Sequence, residues 1–283
     1  MPNIGLVLAG GFAKGAYQIG VLKAIKEYSI GEHISCISAA SIGALNAYAF
    51  AHDKMEEGEE MWRSYNFSGL RSIYATSERG SFIYEAVSSL TDGTEPTEQN
   101  LYVPCLNLNK VKLNYVNLKD VKIEHEKYYL LACVTLPMLS LPVKIAGTRY
   151  FDGAIVDNTP VKPLMNHQFD YAIVVHFDND NFIFENEFFD SKLVKVNFLD
   201  EMIIKNSLAF NRDSIACMID KGYEVSMSIF DIVFKNGLDD LEYITQKIRF
   251  LRELRGRSKF RLTGDVVMNN MNSVMKKIIK YKI

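Results

Sequence analysis

The residues around Ser41 have the composition of a reactive serine turn. The segment reads Ala39-Ala40-Ser41-Ile42-Gly43 and lies between a predicted strand and a predicted helix. Small residues on both sides permit a tight strand-to-helix turn that pushes the serine oxygen out of the backbone, where it can act as a nucleophile. Serines at such junctions also serve as plain helix N-caps, and this segment alone leaves both interpretations open.

A second chemically suggestive segment runs from Gly10 to Gly15 and reads Gly-Gly-Phe-Ala-Lys-Gly. Glycines let the backbone approach a bound group closely, and the first amides of a helix point outward without intrahelical partners. Together these properties favour an anion-binding corner, although a simple tight turn or a nucleotide-phosphate site also fits. The segment lacks the Gly-x-x-x-x-Gly-Lys-Ser/Thr pattern of a Walker A loop.

A third segment, Tyr150-Phe151-Asp152-Gly153-Ala154, offers a carboxylate that could act as a general base. Asp-Gly is also a common hairpin-turn dipeptide, so the segment by itself does not distinguish a base from a turn. The following residues, 157–160, read Asp-Asn-Thr-Pro and predict an irregular loop ahead of another helix.

Hydrophobic periodicity predicts that the first fifty residues form an alternating β-α-β-α unit. Residues 4–8 and 34–38 are short apolar runs typical of buried strands. A helix follows Gly15 because apolar residues recur at three-residue steps, and a second helix follows Ser41. Strands joined in this way are expected to be parallel, with right-handed crossovers.

The remainder of the chain predicts further strands and then a helical region. Strands are predicted at residues 101–106, 113–118, 129–134 and 171–177. Helices are predicted at 55–65 and from about residue 194 onward, most clearly at 209–223 and 241–255. Because no repeat or linker divides the chain, residues 1–283 are predicted to form a single domain with a helical, basic C-terminal portion.

Composition narrows the class of protein. With 48% hydrophobic and 23% charged residues the chain resembles ordinary soluble domains, and no apolar run reaches the roughly 18 residues of a membrane-spanning helix. The N-terminus lacks the basic start and cleavage site of a secretory signal. The four cysteines are scattered and no histidine stands at metal-ligand spacing, so we expect buried reduced thiols and a cytoplasmic location.

In this order, the three segments closely resemble the patatin-like phospholipases. In that family a glycine-rich loop supplies oxyanion-hole amides, Gly-x-Ser-x-Gly carries the nucleophile, and Asp-Gly-Gly/Ala carries the aspartate of a Ser-Asp dyad. Residues 15–22, 44–47 and 157–160 extend the similarity around each segment. Two positions depart from the family pattern: Phe12 stands where a third glycine is usual, and Ala39 replaces the first glycine of the serine motif.

The resemblance implies a three-layer α/β fold, with a mostly parallel central sheet and helices on both faces. It implies that Asp152 accepts the proton of Ser41 as Ser41 attacks an ester carbonyl. The amides of Gly10, Gly11 and Phe12 would hold the oxyanion, and water would release the acyl group. Gly15, Gly43 and Gly153 support the motifs. The expected substrate is a phospholipid or another acyl ester, with neither a cofactor nor a metal nor nucleic acid involved.

Three alternatives remain open at this level. An α/β-hydrolase with a Ser-Asp-His triad could use His176, which follows Asp152 in the chain order of that fold. Against it, only 40 residues precede Ser41, which leaves room for two strands where that fold places several. Acyl transfer to another alcohol, on the same dyad, would leave the same motifs. A non-catalytic lipid-binding relative would keep the fold without the reaction.

Charge is concentrated at the end of the chain. Residues 241–283 contain eleven Lys or Arg against three acidic residues, a net charge of +8, whereas the whole chain carries −2. The first 240 residues therefore carry −10, and the basic region suggests an anionic partner surface. Within it, a helix is predicted to present an apolar face: Val267, Met271, Val274, Met275 and Ile278. Such a helix suits peripheral contact with an anionic membrane, or docking on the acidic body of the protein.

Overall fold

The first fifty residues form the predicted β-α-β-α unit. The computed structural model describes residues 1–64, 81–137, 139–178, 181–198, 212–255 and 258–262. Every residue of the first strand is buried, as expected for a parallel strand covered on both faces. The unit consists of β1 (Ile4–Leu8), α1 (Gly15–Glu27), β2 (Ile34–Ala39) and α2 (Ile42–Ala51).

Five parallel strands form the centre of the main sheet. The order is β3-β2-β1-β7-β9, and the three strands not yet introduced are β3 (Asn100–Asn107), β7 (Tyr171–His176) and β9 (Leu193–Asn197). In the register of β1, Leu8 pairs with Ala39 of β2 on one side and with Val175 of β7 on the other. The carboxyl ends of these three strands therefore lie at one edge of the sheet, where the loops that follow them meet.

An antiparallel extension completes the sheet beyond β3. The first half of β3 pairs with β2, and its second half pairs with β6, so that Cys105 faces Asp152 across the ladder. The extension consists of β4 (Lys112–Asn117), β5 (Val143–Ile145) and β6 (Thr148–Asp152). A separate two-stranded sheet pairs β8 (Asn181–Phe184) with β10 (Ser258–Arg261) in parallel.

Helices cover both faces of the sheet, and the side chains of β1 alternate between them. Ile4, Leu6 and Leu8 join the larger core cluster, whereas Val7 joins the smaller one on the opposite face. The larger core also contains α3 (Met55–Arg63), α4 (Phe82–Thr91), α5 (Ile123–Cys133), α8 (Arg212–Val233) and α9 (Leu241–Leu254). Among the described residues, the opposite face carries two short helices, α6 (Lys162–Met165) and α7 (Glu187–Asp190). The predicted α/β fold with a mostly parallel sheet is confirmed.

Two secondary-structure predictions were wrong. Residues 129–134 belong largely to the helix α5, because the apolar run continues a helix whose acidic first turn lies at Glu124 and Glu126. A short apolar run does not by itself distinguish a strand from a buried helix. The helical region also does not begin near residue 194, since β9 occupies Leu193–Asn197 and the next described helix starts at Arg212.

Two further expectations concern the cysteines and the C-terminal region. Cys36, Cys105 and Cys133 are free and buried as predicted, but Cys217 is exposed on α8, which corrects the expectation that all four are buried. The predicted amphipathic helix that ends the chain lies outside the described residues. No helix among the described residues combines the length and apolar character needed to cross a bilayer.

Candidate active site

Ser41 occupies a strained turn between β2 and α2. Its backbone angles are φ 52° and ψ −131°, a conformation that costs a non-glycine residue about 1–3 kcal/mol and that accumulates at functional sites. Ser41 stands at the N-cap position of α2, yet its side chain makes no capping hydrogen bond. The plain N-cap interpretation therefore fails, and the hydroxyl is available for another role.

Gly15, Gly43 and Gly153 lie where neighbouring segments around the site approach the backbone closely. A Cβ on Gly43 would stand 2.9 Å from the carbonyl oxygen of Leu8, so the chain can enter α2 against the end of β1 only without a side chain here. Gly15 begins α1 against the indole of Trp62, and Gly153 follows Asp152. All three glycines are packing positions that hold the reactive segments in place.

Asp152 ends β6 as a fully buried carboxylate. Its amide donates to the carbonyl of Thr135 at 2.9 Å, and its Oδ1 accepts from the amide of Ala154 at 2.8 Å. Burial raises the pKa of Asp152 to about 7, while hydrogen bonding from the Ser41 hydroxyl and the Ala154 amide opposes the rise. The second oxygen, Oδ2, has no hydrogen-bond partner within the described chain.

The glycine-rich loop runs from β1 towards α1 beside Ser41. A Cβ on Gly10 would lie 2.9 Å from the Cβ of Ser41, so the two turns are in contact. The amide of Gly10 already donates to the carbonyl of Asn158 at 3.1 Å and is not available to an oxyanion in this conformation. The amide of Gly11 has no partner among the described residues. Phe12 has a positive φ of 51°, at the position where the family usually has glycine.

One cavity of about 500 Å³ brings the predicted site residues together. Gly10, Gly11, Phe12, Ser41 and Asp152 all line it, although they come from three separate segments. The cavity opens where the carboxyl ends of β1 and β2 meet, which is the usual position of a ligand site in an open α/β sheet. Among the described residues, no group of His, Cys, Asp and Glu side chains is arranged to hold a metal ion.

Lys14 also lines this cavity. Burial lowers the pKa of its ammonium group, and the carboxylate of Asp178 partly offsets that effect. The Nζ atom lies 5.8 Å from the ring centroid of Phe177 and has neither a hydrogen bond nor an ion pair within the described chain. The cavity thus contains an ammonium group that a negatively charged ligand could reach.

His176 does not line the cavity. It ends β7 between Val175 and Phe177, whose side chains join the larger core, and strand alternation therefore directs His176 to the other face of the sheet. There its ring packs edge-on against Phe182, and its Nδ1 lies 3.5 Å from Asp178. Burial lowers the pKa of His176, so the ring is mainly neutral at pH 7. This position does not suit a triad with Ser41 and Asp152.

The structure adds cavity residues that sequence patterns did not single out. Phe177 and Asp178 follow β7. Because they lie at the end of a predicted strand, and ligand sites in α/β sheets lie at the carboxyl ends of strands, the sequence could have predicted them as site residues. Leu136 reaches the cavity because its neighbour Thr135 binds the backbone of Asp152, a contact with no local sequence signature. The remaining lining residues are Ala154, Ile155 and Asn158.

Comparison with known proteins identifies related sequences. Residues 6–165 match the family model described as patatin-like phospholipase. The chain is 28% identical over 187 residues to Lysophospholipase NTE1 of Cryptococcus neoformans, a match that spans 61% of this chain and 11% of that protein. It is 30% identical over 175 residues to Lysophospholipase nte1 of Aspergillus terreus, spanning 56% of this chain and 11% of that protein. The chain thus corresponds to about a tenth of the length of these relatives.

A solved structure has the same fold. The crystal structure of VipD from Legionella pneumophila superposes with a TM-score of 0.51 at 13% identity, covering 82% of this chain and 67% of VipD. At this identity the similarity concerns the fold alone. The family model, by contrast, spans more than half of the chain and includes all three reactive segments. This protein therefore belongs to the patatin-like phospholipase family.

Proposed function

We propose that this protein is a lipid acyl hydrolase that uses Ser41 as nucleophile and Asp152 as general base. The observation that carries the proposal is the strained Ser41 turn beside a fully buried carboxylate in the wall of the same cavity. A nucleophilic serine requires a base within reach, and a base is most effective when its pKa lies near the working pH. The raised pKa of Asp152 meets that requirement near neutral pH.

In the proposed reaction, the Ser41 oxygen attacks the ester carbonyl while Asp152 accepts the hydroxyl proton. The amides of Gly11 and Phe12 hold the developing oxyanion, and the amide of Gly10 takes part only if its bond to Asn158 breaks. Asp152 then returns the proton to the departing alcohol, which leaves an acyl group on Ser41. Water, deprotonated by Asp152, attacks the acyl group, and the carboxylic acid is released from the restored serine.

The walls of the cavity support an amphiphilic substrate. Phe12 and Ile155 are 41% and 53% exposed at the cavity, and they offer apolar contact to an acyl chain. Lys14 offers a half-buried cation to an anionic group such as the phosphate of a phospholipid. We therefore propose a phospholipid or lysophospholipid as substrate, in agreement with the lysophospholipase names of the relatives.

We further propose peripheral contact with an anionic membrane from the cytoplasmic side through the basic C-terminal region. Within the described part of that region, α9 presents exposed Phe250 and Leu254 beside Lys247 and Arg249. Apolar side chains next to cations suit an interfacial helix. Truncation after Gly264 should weaken binding to anionic liposomes while the protein stays folded. Unchanged liposome binding would exclude a membrane role for the deleted residues.

The decisive experiment is mass spectrometry of the lipids released from mixed phospholipid vesicles. Wild type should release fatty acid, and Ser41→Ala should release none above background. Lipid binding without release by either protein would favour the non-catalytic alternative. Addition of an acceptor alcohol separates acyl transfer from hydrolysis, because a transferase forms a new ester in place of free acid.

The triad alternative is tested by comparing His176→Gln with Asp152→Ala. We expect His176→Gln to keep most of the activity and Asp152→Ala to lose it, because Asp152 lines the cavity with Ser41 and His176 does not. Thermal melting of both variants controls for loss of fold, because both side chains are buried. The opposite order of activities would favour the triad.

A further inference from the structure

Asn158 makes two hydrogen bonds with Gly10 and connects the loop that follows Asp152 to the glycine-rich loop. Its side-chain Nδ2 donates to the carbonyl oxygen of Gly10 at 3.0 Å, and its own carbonyl accepts from the Gly10 amide at 3.1 Å. A Cβ on Gly10 would lie only 2.4 Å from Oδ1 of Asn158, so the side chain packs directly against this glycine. Asn158 therefore contacts the glycine-rich loop through both its backbone and its side chain.

The side-chain bond sets the direction of the next amide. The described peptide bonds are all trans, and in a trans peptide the C=O and N–H groups point in opposite directions. Because Asn158 binds the carbonyl of Gly10, the N–H group of Gly11 in the same peptide is directed away from Asn158. Two consecutive glycines leave that peptide free to rotate on its own, so an external contact must fix it.

Asn158 is itself held rigidly. The amide of the preceding residue, Asp157, donates to the carbonyl of Gly153 at 3.0 Å. The buried carboxylate of Asp157 accepts from the hydroxyl of Tyr115 at 2.5 Å, which ties the loop to β4. One short loop thus begins at Asp152, the proposed base, and ends at the residue that holds the glycine-rich segment.

We propose that Asn158 is a positioning residue that aligns the Gly11 amide for the oxyanion. This inference rests on the proposed function, because an oxyanion forms only if Ser41 attacks an ester. It assigns to the side chain of Asn158 a role in the transition state rather than in binding of the intact substrate. Its loss should therefore lower kcat far more than it changes KM.

The test uses Asn158→Ala, which removes the donor, and Asn158→Asp, which keeps the shape but cannot donate. Removal of an oxyanion donor elsewhere costs about 10²–10³ in kcat, so a misaligned donor should cost about 10–10². A trifluoromethyl ketone with the substrate's acyl chain forms a tetrahedral adduct with an attacking serine. Its inhibition constant should rise by the same factor as kcat/KM falls, whereas the affinity for the fatty acid product stays unchanged.

Asn46→Ala is the matched control. Asn46 is buried and, like the partly buried Asn158, donates from Nδ2 to a glycine carbonyl, that of Gly15 at 2.9 Å, but it does not line the cavity. It should lower the melting temperature without changing the ratio of ketone affinity to product affinity. If both Asn158 variants fold and keep wild-type kcat and ketone affinity, the positioning role is wrong. If instead Ser41→Ala keeps full activity, it is the proposed function that fails.

Discussion

The amide of Ala154 donates a hydrogen bond of 2.8 Å to Oδ1 of Asp152 and anchors a carboxylate that has no exposure to solvent. An amide donor favours the charged form, yet burial outweighs it and raises the pKa to about 7. The same carboxylate is thus suited to act as a base near neutral pH and is costly to keep charged. Both properties can be measured.

The pH dependence of activity should follow the ionisation of Asp152. The base acts only when it is deprotonated, so kcat/KM should rise about tenfold per pH unit below pH 7 and level off above it. A pH–rate profile with a soluble ester measures this directly. A plateau that extends down to about pH 5 would contradict the raised pKa.

The pH dependence of stability has the opposite sign. The folded pKa of Asp152 exceeds the 3.8 of a solvent-exposed aspartate, so its contribution to stability is intact below that value and is lost as the pH rises towards 7. Asp152→Asn removes this loss. The variant should be more stable than wild type at pH 8, and the difference should shrink by about 1.4 kcal/mol per pH unit between pH 7 and about pH 4. Urea unfolding measures it, with the exposed Asp92→Asn as control.

The strain at Ser41 predicts an unusual order of stability. Ser41→Gly should be more stable than Ser41→Ala by about 1–3 kcal/mol, because a φ of 52° strains every residue except glycine. Both variants lack the nucleophile and should be inactive. At Ser35, an exposed position within β2, the order should reverse, because glycine weakens a strand relative to alanine by about 0.5–1 kcal/mol. Equal stabilities of the two Ser41 variants would mean that the turn is relaxed.

Gly43→Ala should damage the serine turn. The added Cβ would stand 2.9 Å from the carbonyl oxygen of Leu8 and 3.0 Å from that of Ala9, both of which are backbone atoms that cannot move aside easily. We expect a loss of about 1–3 kcal/mol in unfolding free energy, together with a large fall in kcat. Gly58→Ala in α3 is the control, because its Cβ would meet only side chains, and it should keep activity.

The long helix α8 packs on α1 through closely approaching backbones. A Cβ on Gly222 would lie 2.1 Å from the carbonyl oxygen of Tyr17, and one on Gly20 would lie 2.0 Å from that of Ile219. Gly222→Ala should therefore force the helices apart and cost about 1–3 kcal/mol or more. Glu224→Ala, on the exposed side of the same helix, should be nearly neutral. A neutral Gly222→Ala would show that the two helices are not in contact in solution.

The sequence alone determined the reactive groups and the local elements that carry them. Small residues around Ser41 and the glycines before α1 predicted tight turns because bulky side chains cannot enter such turns, and apolar periodicity predicted the β-α-β-α unit. Local patterns failed where distance along the chain mattered. The run at 129–134 became part of a helix, and the strand at 193–197 was missed because its pairing with β7 is a tertiary contact.

Tertiary structure decided which groups share a cavity and which backbone amides are already hydrogen-bonded. The register of β1 against β2, and of β3 against β6, brings Ser41 near Asp152, and no local pattern encodes either register. Burial in the folded chain, rather than residue type, sets the pKa of Asp152. Asn158 is hydrogen-bonded to both the amide and the carbonyl of Gly10 and leaves the Gly11 amide available. This arrangement depends on tertiary structure, because only folding brings residues 10 and 158 into contact.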